Sequence, residues 1–409
     1  MDVMIERCAG LDVHKKTVVA CVRTPGREVG RQKAVRTFAT TLAGLEALRE
    51  WLQGNRVTHV AMESTGVYWR PVYVVLEDDF ELLLVNARHI KHVPGRKTDV
   101  RDCEWVGQLL ECGLLRGSFV PPPEIRDLRD LTRLRKSLIG ERSRQINRVA
   151  KTLEMANIKL GSVVTDIMGM TGRAILDALA AGVEAPGALA RLAQGSLKKK
   201  RKELAEATAG RMTEHYRFML SQHLRLIDEL SQHIDELDVR IEERTRPFSR
   251  AADIIESMPG IAQRAAQTIL AEIGPDMTRF PTSGHLASWA KVCPGTHESA
   301  GKRKSVSTGK GNTWLRATLG QVAWSAARTR GSYYSALYYR HRARGGSRKA
   351  ISVVQHAILV ALWHMLSTGA SHEDLGNDFF IRRNKERRRR YHMRQLHKLG
   401  YTVEAKAAA

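Results

Sequence analysis

The chain has 409 residues, with 66 lysines and arginines against 43 aspartates and glutamates, a formal net charge of +23. Hydrophobic residues make up 43% of it, which provides for buried cores and argues against a disordered chain. The charge predicts a polyanionic partner, most often nucleic acid. No apolar run approaches the roughly 18 residues of a membrane span, and the sequence around Glu6 is unlike a signal peptide. Five cysteines without a CxxC pair fit reduced thiols, so we expect a cytoplasmic protein without a membrane partner.

Residues 1–120 are predicted to form strands that alternate with helices. Two apolar arms joined by a polar turn in 8–22 are typical of paired strands. A helix is predicted over 40–52 with Thr41 as its N-cap, and short buried strands over 57–62 and 82–85. This alternation predicts an α/β layered domain.

Four carboxylates occupy unusual positions in this region. Asp12 lies inside the first apolar strand, where a carboxylate is costly unless it is paired or binds a metal. Glu63 follows a strand, a common place for catalytic groups in α/β sheets. Asp99 and Asp102 share one face of a helix predicted from about 98 to 110. The alternative is that these residues cap turns or lie in a solvated helical turn. Oxygen ligands of this kind suit Mg²⁺ or Mn²⁺, which activate phosphodiesters.

Residues 121–250 begin with three prolines, and the rest of this region is predicted to be helical. Basic residues recur there at spacings of three and four, which suggests a face that binds nucleic-acid backbone, although a solvated helix is the alternative. They are Arg126, Arg129, Arg133, Arg135, Lys136, Arg142, Arg144 and Arg148. Later, apolar residues repeat every seven positions at Leu220, Ile227, Ile234 and Ile241. The repeat predicts a coiled coil, within one chain or between protomers, and we favour a homo-oligomer, a dimer or tetramer.

Residues 251–375 are predicted to form a mainly helical domain. A helix, a Pro-Gly-Ile turn and a second helix between 253 and 274 resemble a helix-hairpin-helix, which binds phosphate through backbone N–H groups. An ordinary pair of helices is the alternative. The segment 294–312 is rich in glycine, hydroxyls and cations, and there Ser299 is the main candidate nucleophile. Ser305 and Ser307 are weaker candidates. The tail, 376–409, is predicted to be a basic helix or arm with affinity for nucleic-acid backbone.

The order of the carboxylates resembles that in RuvC-like nucleases of the RNase H superfamily. The sequences GLDVH at 10–14, MESTGVY at 62–68 and GRKTDVRD at 95–102 resemble, more narrowly, the N-terminal motifs of DEDD transposases of insertion sequences. The sequences WAKVCPG at 289–295, SAG at 299–301, GKGN at 309–312 and LR at 315–316 resemble the serine-bearing second domain of that family. The resemblance covers about residues 5–370.

The resemblance implies a RuvC-like domain over 1–120 and a serine transposase domain over 251–375. The helical coiled-coil middle over 121–250 and the basic tail over 376–409 are predicted from their own residues, and the tail lies beyond the resemblance. It implies that Asp12, Glu63, Asp99 and Asp102 bind Mg²⁺, for which Mn²⁺ can substitute, and that Ser299 forms a covalent link to DNA. The cations expected to hold phosphates, by charge, proximity and motif, are Lys302, Arg303, Lys304, Lys310 and Arg316. The resemblance also implies donor and target DNA as partners, and a structured noncoding guide RNA.

Two alternatives stay open at this point. The chain could be a RuvC-like metal-dependent endonuclease or junction resolvase that uses water as its nucleophile. It could instead be a non-enzymatic nucleic-acid-binding scaffold whose carboxylates only cap turns and helices. The four ordered carboxylates argue against the scaffold, and the segment around Ser299 argues against the simple nuclease.

Overall fold

The computed structural model describes residues 3–26, 30–64, 66–86, 102–293, 297–299, 302–304, 309 and 311–402. The chain divides into two compact units, Met1–Val120 and Pro121–Ala409. The division lies at the three prolines that follow Val120. Each unit is described separately below.

The first unit contains a five-stranded mixed sheet. Its strands are β1 (Cys8–Val13), β2 (Thr17–Pro25), β3 (Arg31–Ala39), β4 (His59–Glu63) and β5 (Glu81–Val85). The spatial order is β3-β2-β1-β4-β5, in which β1 and β2, and β2 and β3, are antiparallel, while β1 and β4, and β4 and β5, are parallel. Four of these strands were predicted, whereas β3, an edge strand with mostly exposed side chains, was not. This arrangement is consistent with the RNase H-like fold expected from the sequence.

Helices cover both faces of this sheet. They are α1 (Leu42–Gly54), α2 (Trp69–Leu76) and α3 (Asp102–Glu111). The Thr41 hydroxyl accepts a hydrogen bond from the Gly44 amide, as expected of the predicted N-cap. Helices α1 and α2 share one apolar core with alternate residues of β1 and β4, including Leu11 and Met62. Helix α3 shares a separate core with the opposite face of the sheet, so the strands have two buried faces.

The second unit opens with two long helices packed side by side. They are α4 (Pro123–Met155) and α9 (Glu214–Thr245). Their side-chain contacts run in opposite directions along the chain, from Arg135–Asp238 to Arg142–Ser231, so the helices are antiparallel. All four apolar residues of the heptad repeat are buried, namely Leu220, Ile227, Ile234 and Ile241. The repeat therefore packs inside this chain, while coiled-coil supercoiling and a homo-oligomer stay predictions.

Short helices between these two enclose an apolar core. They are α5 (Leu160–Val163), α6 (Met170–Ala180), α7 (Pro186–Arg191), a 3₁₀ turn (Gly195–Lys200) and α8 (Arg201–Thr208). The core includes Leu153, Ile158, Leu176 and Leu204. The run of cations at 198–202 lies where the 3₁₀ turn meets α8, and its side chains are exposed.

The predicted nucleic-acid face on α4 is wrong for the first half of that helix. Arg135 is only 3% exposed and donates to the side chains of Asp238 and Gln267. Lys136 donates to the carbonyl of Trp314 and the hydroxyl of Thr318. Arg129 and Arg133 are also bound within the protein, as described below. These cations hold helices together because their partners are buried carboxylates, amides and carbonyls.

The rest of the second unit is mainly helical, as predicted. Its elements are α10 (Ser249–Glu256), α11 (Gln263–Ile273), α12 (Ser283–Trp289), β6 (His297–Ser299), β7 (Lys302–Lys304), α13 (Thr313–Arg328), α14 (Tyr333–Thr368) and α15 (Phe379–Lys398), with 3₁₀ turns at Arg246–Phe248 and Met277–Arg279. Gly260, between α10 and α11, has a φ of +88°, and a Cβ there would lie 2.7 Å from the amide of Ala326. The turn thus packs against α13. Helix-hairpin-helix phosphate binding stays a prediction.

Helix α14 corrects one sequence expectation. An 18-residue window of it has a mean hydropathy of 1.5, so by length and composition alone it is apolar enough to cross a membrane. Residues such as Val354, Ile358 and Leu362 are buried within this unit. Tyr334 and Tyr338 of the same helix are also buried.

Candidate active site

The sheet register places two of the candidate carboxylates side by side. In the parallel pair β1 and β4, Leu11 lies opposite Met62. Asp12 and Glu63 are the next residues on each strand, so they stand at neighbouring positions where the pairing ends. Parallel strands bring their carboxyl ends to one edge of the sheet, which is why two residues 51 positions apart meet here.

Alternation along the strands fixes the face on which these carboxylates lie. Leu11 and Met62 belong to the core under α1 and α2, whereas Cys8 and Ala61 pack against α3. Successive side chains of a strand point to opposite faces. Asp12 and Glu63 therefore lie on the α3 face of the sheet.

A close approach of backbones brings the start of α3 to the same place. An added Cβ at Gly10 would lie 2.2 Å from the carbonyl of Cys103 and 2.2 Å from the amide of Gly107. Only glycine at position 10 permits this contact. Asp102 is the first residue of α3 and is exposed. Burial is the main cause of the raised pKa of the Cys103 thiol, and the Asp12 carboxylate adds to it.

Three of the four predicted metal ligands are thus described on one face of the first unit. Asp12 is 27% exposed, and its Oδ2 lies 3.1 Å from His14 Nε2. Asp99 lies outside the described residues. Within the described ranges, no three His, Cys, Asp or Glu side chains lie close enough together to hold a metal ion. The donor set is nonetheless chemically suited to Mg²⁺ or Mn²⁺, because all of its predicted ligands are hard carboxylate oxygens.

Ser299 lies at the end of a short strand. It is the last residue of β6, and its backbone pairs with that of Lys302 at the start of the antiparallel strand β7. Arg303 and Lys304 occupy the other two positions of β7. Lys310 lies outside the described residues. The hairpin therefore places three of the predicted cations on the strand that pairs with the strand of the candidate nucleophile.

Arg316 has a defined partner inside the protein. Its Nη1 donates a 2.6 Å hydrogen bond to the carbonyl of Gly309. The side chain thereby joins the first turn of α13 to Gly309, near the end of the cation-rich segment 294–312, which we call the basic segment. Its predicted contact with nucleic acid is a separate matter and stays a prediction.

Comparison with known proteins now bears on both units. A model of DEDD transposases of the IS110 type, described as a transposase, matches residues 9–158. A second model, described as the transposase IS116/IS110/IS902 family, matches residues 252–340. The first covers the carboxylate face and the second covers Ser299. The chain belongs to the DEDD transposase family.

Curated relatives of this chain are insertion-element proteins. An insertion element IS116 uncharacterized protein of Streptomyces clavuligerus is 27% identical over 53% of this chain and 61% of the relative. An IS110 protein of Streptomyces coelicolor is 32% identical over 29% of this chain and 30% of the relative. An IS900 protein of Mycobacterium paratuberculosis is 27% identical over 82% and 89%. The chain thus spans less than two thirds of the first two relatives and most of the third.

Membership of the DEDD transposases indicates dependence on a divalent metal. The buried cysteines, by contrast, are poor candidates for a nucleophile. Burial raises the pKa of the Cys8, Cys21 and Cys103 thiols to about 11. A thiol with such a pKa is protonated at neutral pH and is a poor nucleophile. These three cysteines are buried core residues, whereas Cys112 and Cys293 are half-buried.

Sequence reasoning missed two residues that shape the site. Gly10 was noted only as part of a motif, although a glycine two positions before a strand carboxylate signals close packing on that face. Glu272 was not noted at all. It is a carboxylate within the apolar run of α11 and is fully buried, and such a position signals a bound partner.

Proposed function

We propose that this protein is a DNA transposase or recombinase of an insertion sequence that cuts and exchanges strands through a serine–DNA covalent intermediate. The observation that carries the proposal is the convergence of Asp12, Glu63 and the start of α3 on one face of the mixed sheet. A divalent-metal site at the carboxyl end of parallel strands suits phosphodiester chemistry. The second transposase domain, matched over residues 252–340, contains Ser299, which would supply the nucleophile.

In the first unit, Asp12, Glu63, Asp99 and Asp102 would hold Mg²⁺ or Mn²⁺. When bound, the ion supplies Lewis-acid stabilisation of the negative charge that develops on the phosphate. The chain itself supplies orientation. The strand register fixes Asp12 beside Glu63, and the Gly10 contact fixes the helix that carries Asp102.

In the second unit, Ser299 would attack the phosphorus of the scissile phosphodiester. A bond forms between the serine oxygen and phosphorus, and the bond from phosphorus to one deoxyribose oxygen breaks. The serine proton leaves, and the released deoxyribose oxygen gains a proton to become a hydroxyl. Because one phosphoester replaces another, the linkage can be reversed by a DNA hydroxyl without ATP.

Cations of the second unit would bind the phosphates of the substrates. Lys302, Arg303 and Lys304 lie directly after the Ser299 turn, and Lys310 is six residues further on. The net charge of +23 suits simultaneous binding of donor DNA, target DNA and a structured guide RNA. A homo-oligomer that acts in the prokaryotic cytoplasm is part of the same proposal, since strand exchange needs more than one active site.

A covalent-trap assay tests the proposal. The protein is incubated with Mg²⁺, DNA spanning the element ends and RNA transcribed from the flanking element, and a denaturing gel is used to detect a protein–DNA adduct. We expect an adduct with the wild type and none with Ser299→Ala or Asp102→Asn. Ser307→Ala is the matched control and should retain the adduct.

The same gel separates the rival function. A metal-dependent nuclease that uses water would release free DNA ends and form no adduct, and Ser299→Ala would still cut. Free ends from Ser299→Ala, with loss of cutting only in Asp102→Asn, would therefore replace the proposed recombinase with a nuclease or junction resolvase.

A further inference from the structure

Asn312 joins the basic segment to α13 through two kinds of hydrogen bond. Its Oδ1 accepts from the amides of Trp314 and Leu315, each at 3.1 Å, and so caps the helix. Its Nδ2 donates to Oε2 of Glu272 at 2.6 Å. Aspartate could serve as the cap but has no donor for a carboxylate, and the one oxygen of serine would have to serve both contacts, whereas an amide accepts through its oxygen and donates through its nitrogen. The contact with Glu272 therefore explains why an amide stands here.

Glu272 is held rigidly from the other side. It has no exposed surface, and Nε and Nη2 of Arg133 bind its two oxygens at 2.8 Å each. Arg129 donates to the backbone carbonyls of Ala271 and Glu272, and its Nε lies 3.5 Å from Oε2. A buried carboxylate with this many donors has one defined orientation. Its Oε2 is thus a fixed point for the Asn312 amide.

The neighbouring described residues are fixed as well. Gly311 has a φ of +45°, and a Cβ there would lie 2.7 Å from the carbonyl of Ala290. The carbonyl of Gly309 accepts from Arg316 at 2.6 Å. The described residues on either side of position 310 are therefore each held by contacts within the second unit, and the chain leads from them back towards Ser299.

We propose that Glu272 is a positioning residue for the serine step. By orienting the Asn312 amide, it would hold Gly309, Gly311 and the start of α13 in one arrangement, and these residues follow Ser299 by 10 to 14 positions in the sequence. The inference rests on the proposed function, in which Ser299 is the nucleophile. It assigns to a buried ion pair, more than 25 residues from that serine in sequence, a task beyond holding α11 to α4 and α13.

An exchange of chemical groups between the two positions tests this role. Asn312→Asp keeps the helix cap but sets a carboxylate against Glu272, and we expect the adduct rate to fall about 100-fold, the scale of a small misplacement of reacting groups. Adding Glu272→Gln restores a donor opposite the new acceptor but removes one acceptor from Arg133, so the double variant should recover about tenfold of this loss and not all of it. Thr213→Asp, which changes the cap of α9 in the same way, is the control and should keep the wild-type rate.

Hydrogen exchange at 309–316 and the thermal midpoint are measured on the same proteins. The proposal requires that Asn312→Asp speeds exchange in this segment, that the double variant slows it again, and that DNA affinity stays within about twofold of wild type. It is overturned if Asn312→Asp keeps the wild-type adduct rate, or if the rate falls only in proportion to the unfolded fraction and the double variant restores nothing.

The two proposals fail in distinguishable ways. If wild-type protein forms free ends and no adduct, the serine mechanism is wrong, and the exchange data still decide whether Glu272 orders the segment. If wild type forms the adduct while Asn312→Asp changes neither rate nor exchange, the serine mechanism stands and the positioning role is wrong.

Discussion

Backbone register places the candidate carboxylates in the first unit, whereas a buried side-chain network holds the segment that leads to Ser299 in the second. Asp12 and Glu63 become neighbours because β1 and β4 pair in parallel, and Gly10 lets a helix approach. Asn312 is fixed instead by Glu272 and Arg133, which come from two other helices. We therefore expect substitution of a carboxylate in the first site to lower activity without lowering stability, and substitutions in the Glu272 network of the second unit to lower stability as well.

The largest effect should come from the first site and should spare the fold. Asp12→Asn removes a metal-binding charge, and we expect the adduct rate to fall by about 10²–10³-fold, as when one stabilising group of a transition state is lost. Because Asp12 is partly exposed and lies on the face of its strand opposite the core residues Leu11 and Val13, the thermal midpoint should stay within a degree or two.

Adduct rate and thermal unfolding are measured together, with and without Mg²⁺. Glu81→Gln, at the opposite end of a neighbouring strand, is the control and should keep full activity. If Asp12→Asn instead retains activity, or unfolds the first unit, the carboxylate serves the fold and the scaffold alternative regains support.

The difference between the sites also explains how much could be predicted from the sequence. Strands β1, β2, β4 and β5 follow from apolar runs and turn residues, and the face shared by Asp12 and Glu63 then follows from alternation. Edge strand β3 lacks such a run and was missed. The partners of Arg133 and Arg135 could not be predicted, because spacing along a helix shows which cations share a face but not what the face contacts. Those arginines, expected to bind nucleic acid, bind Glu272 and Asp238 instead.

The network of the second unit should show the opposite behaviour, a loss of stability. Arg133→Leu leaves the Glu272 carboxylate buried without its only bidentate partner among the described residues, and we expect destabilisation of about 3 kcal/mol, the lower end for a broken buried pair, since Arg129 and Asn312 remain. Chemical denaturation measures the change.

The matched control is Arg144→Leu on the same helix. Arg144 is 65% exposed, and its ion pair with Glu141 is long at 3.7 Å and lies at the surface. Its loss should therefore change stability by less than about 1 kcal/mol. Equal effects of the two substitutions would show that the Glu272 network does not hold the second unit.

The helix contact of the first unit can be tested at Gly10. Gly10→Ala forces a methyl group against the backbone of α3, and we expect destabilisation of about 1–3 kcal/mol with a loss of activity, because the helix that carries Asp102 must shift. Gly54→Ala at the end of α1 meets no atom within 4 Å and should be neutral or slightly stabilising. A Gly10→Ala protein with wild-type stability and activity would contradict the account of how α3 is placed.

The smallest effect should come from exposed charge that belongs to neither kind of site. Helix α15 is attached to the second unit through Phe380, which stacks on Tyr333 at 5.2 Å and lies 4.9 Å from the Arg340 guanidinium. Its cations Arg383, Lys385 and Arg387 are exposed. If they contact phosphates, their joint replacement by alanine should weaken DNA binding and reduce the slope of log affinity against log salt by about 0.9 for each lost contact.

The control for this surface is the exposed run at 198–202, where Lys198, Lys199 and Lys202 are replaced together. Equal slopes for the two triple variants would mean that α15 contributes only its net charge. A lower slope for the α15 variant alone, with an unchanged adduct rate at saturating DNA, would assign this helix to binding and not to chemistry. Each region would then have its own measured property. The carboxylates placed by strand register would change the adduct rate, the buried Glu272 network would change stability, and the exposed cations of α15 would change the salt dependence of DNA binding.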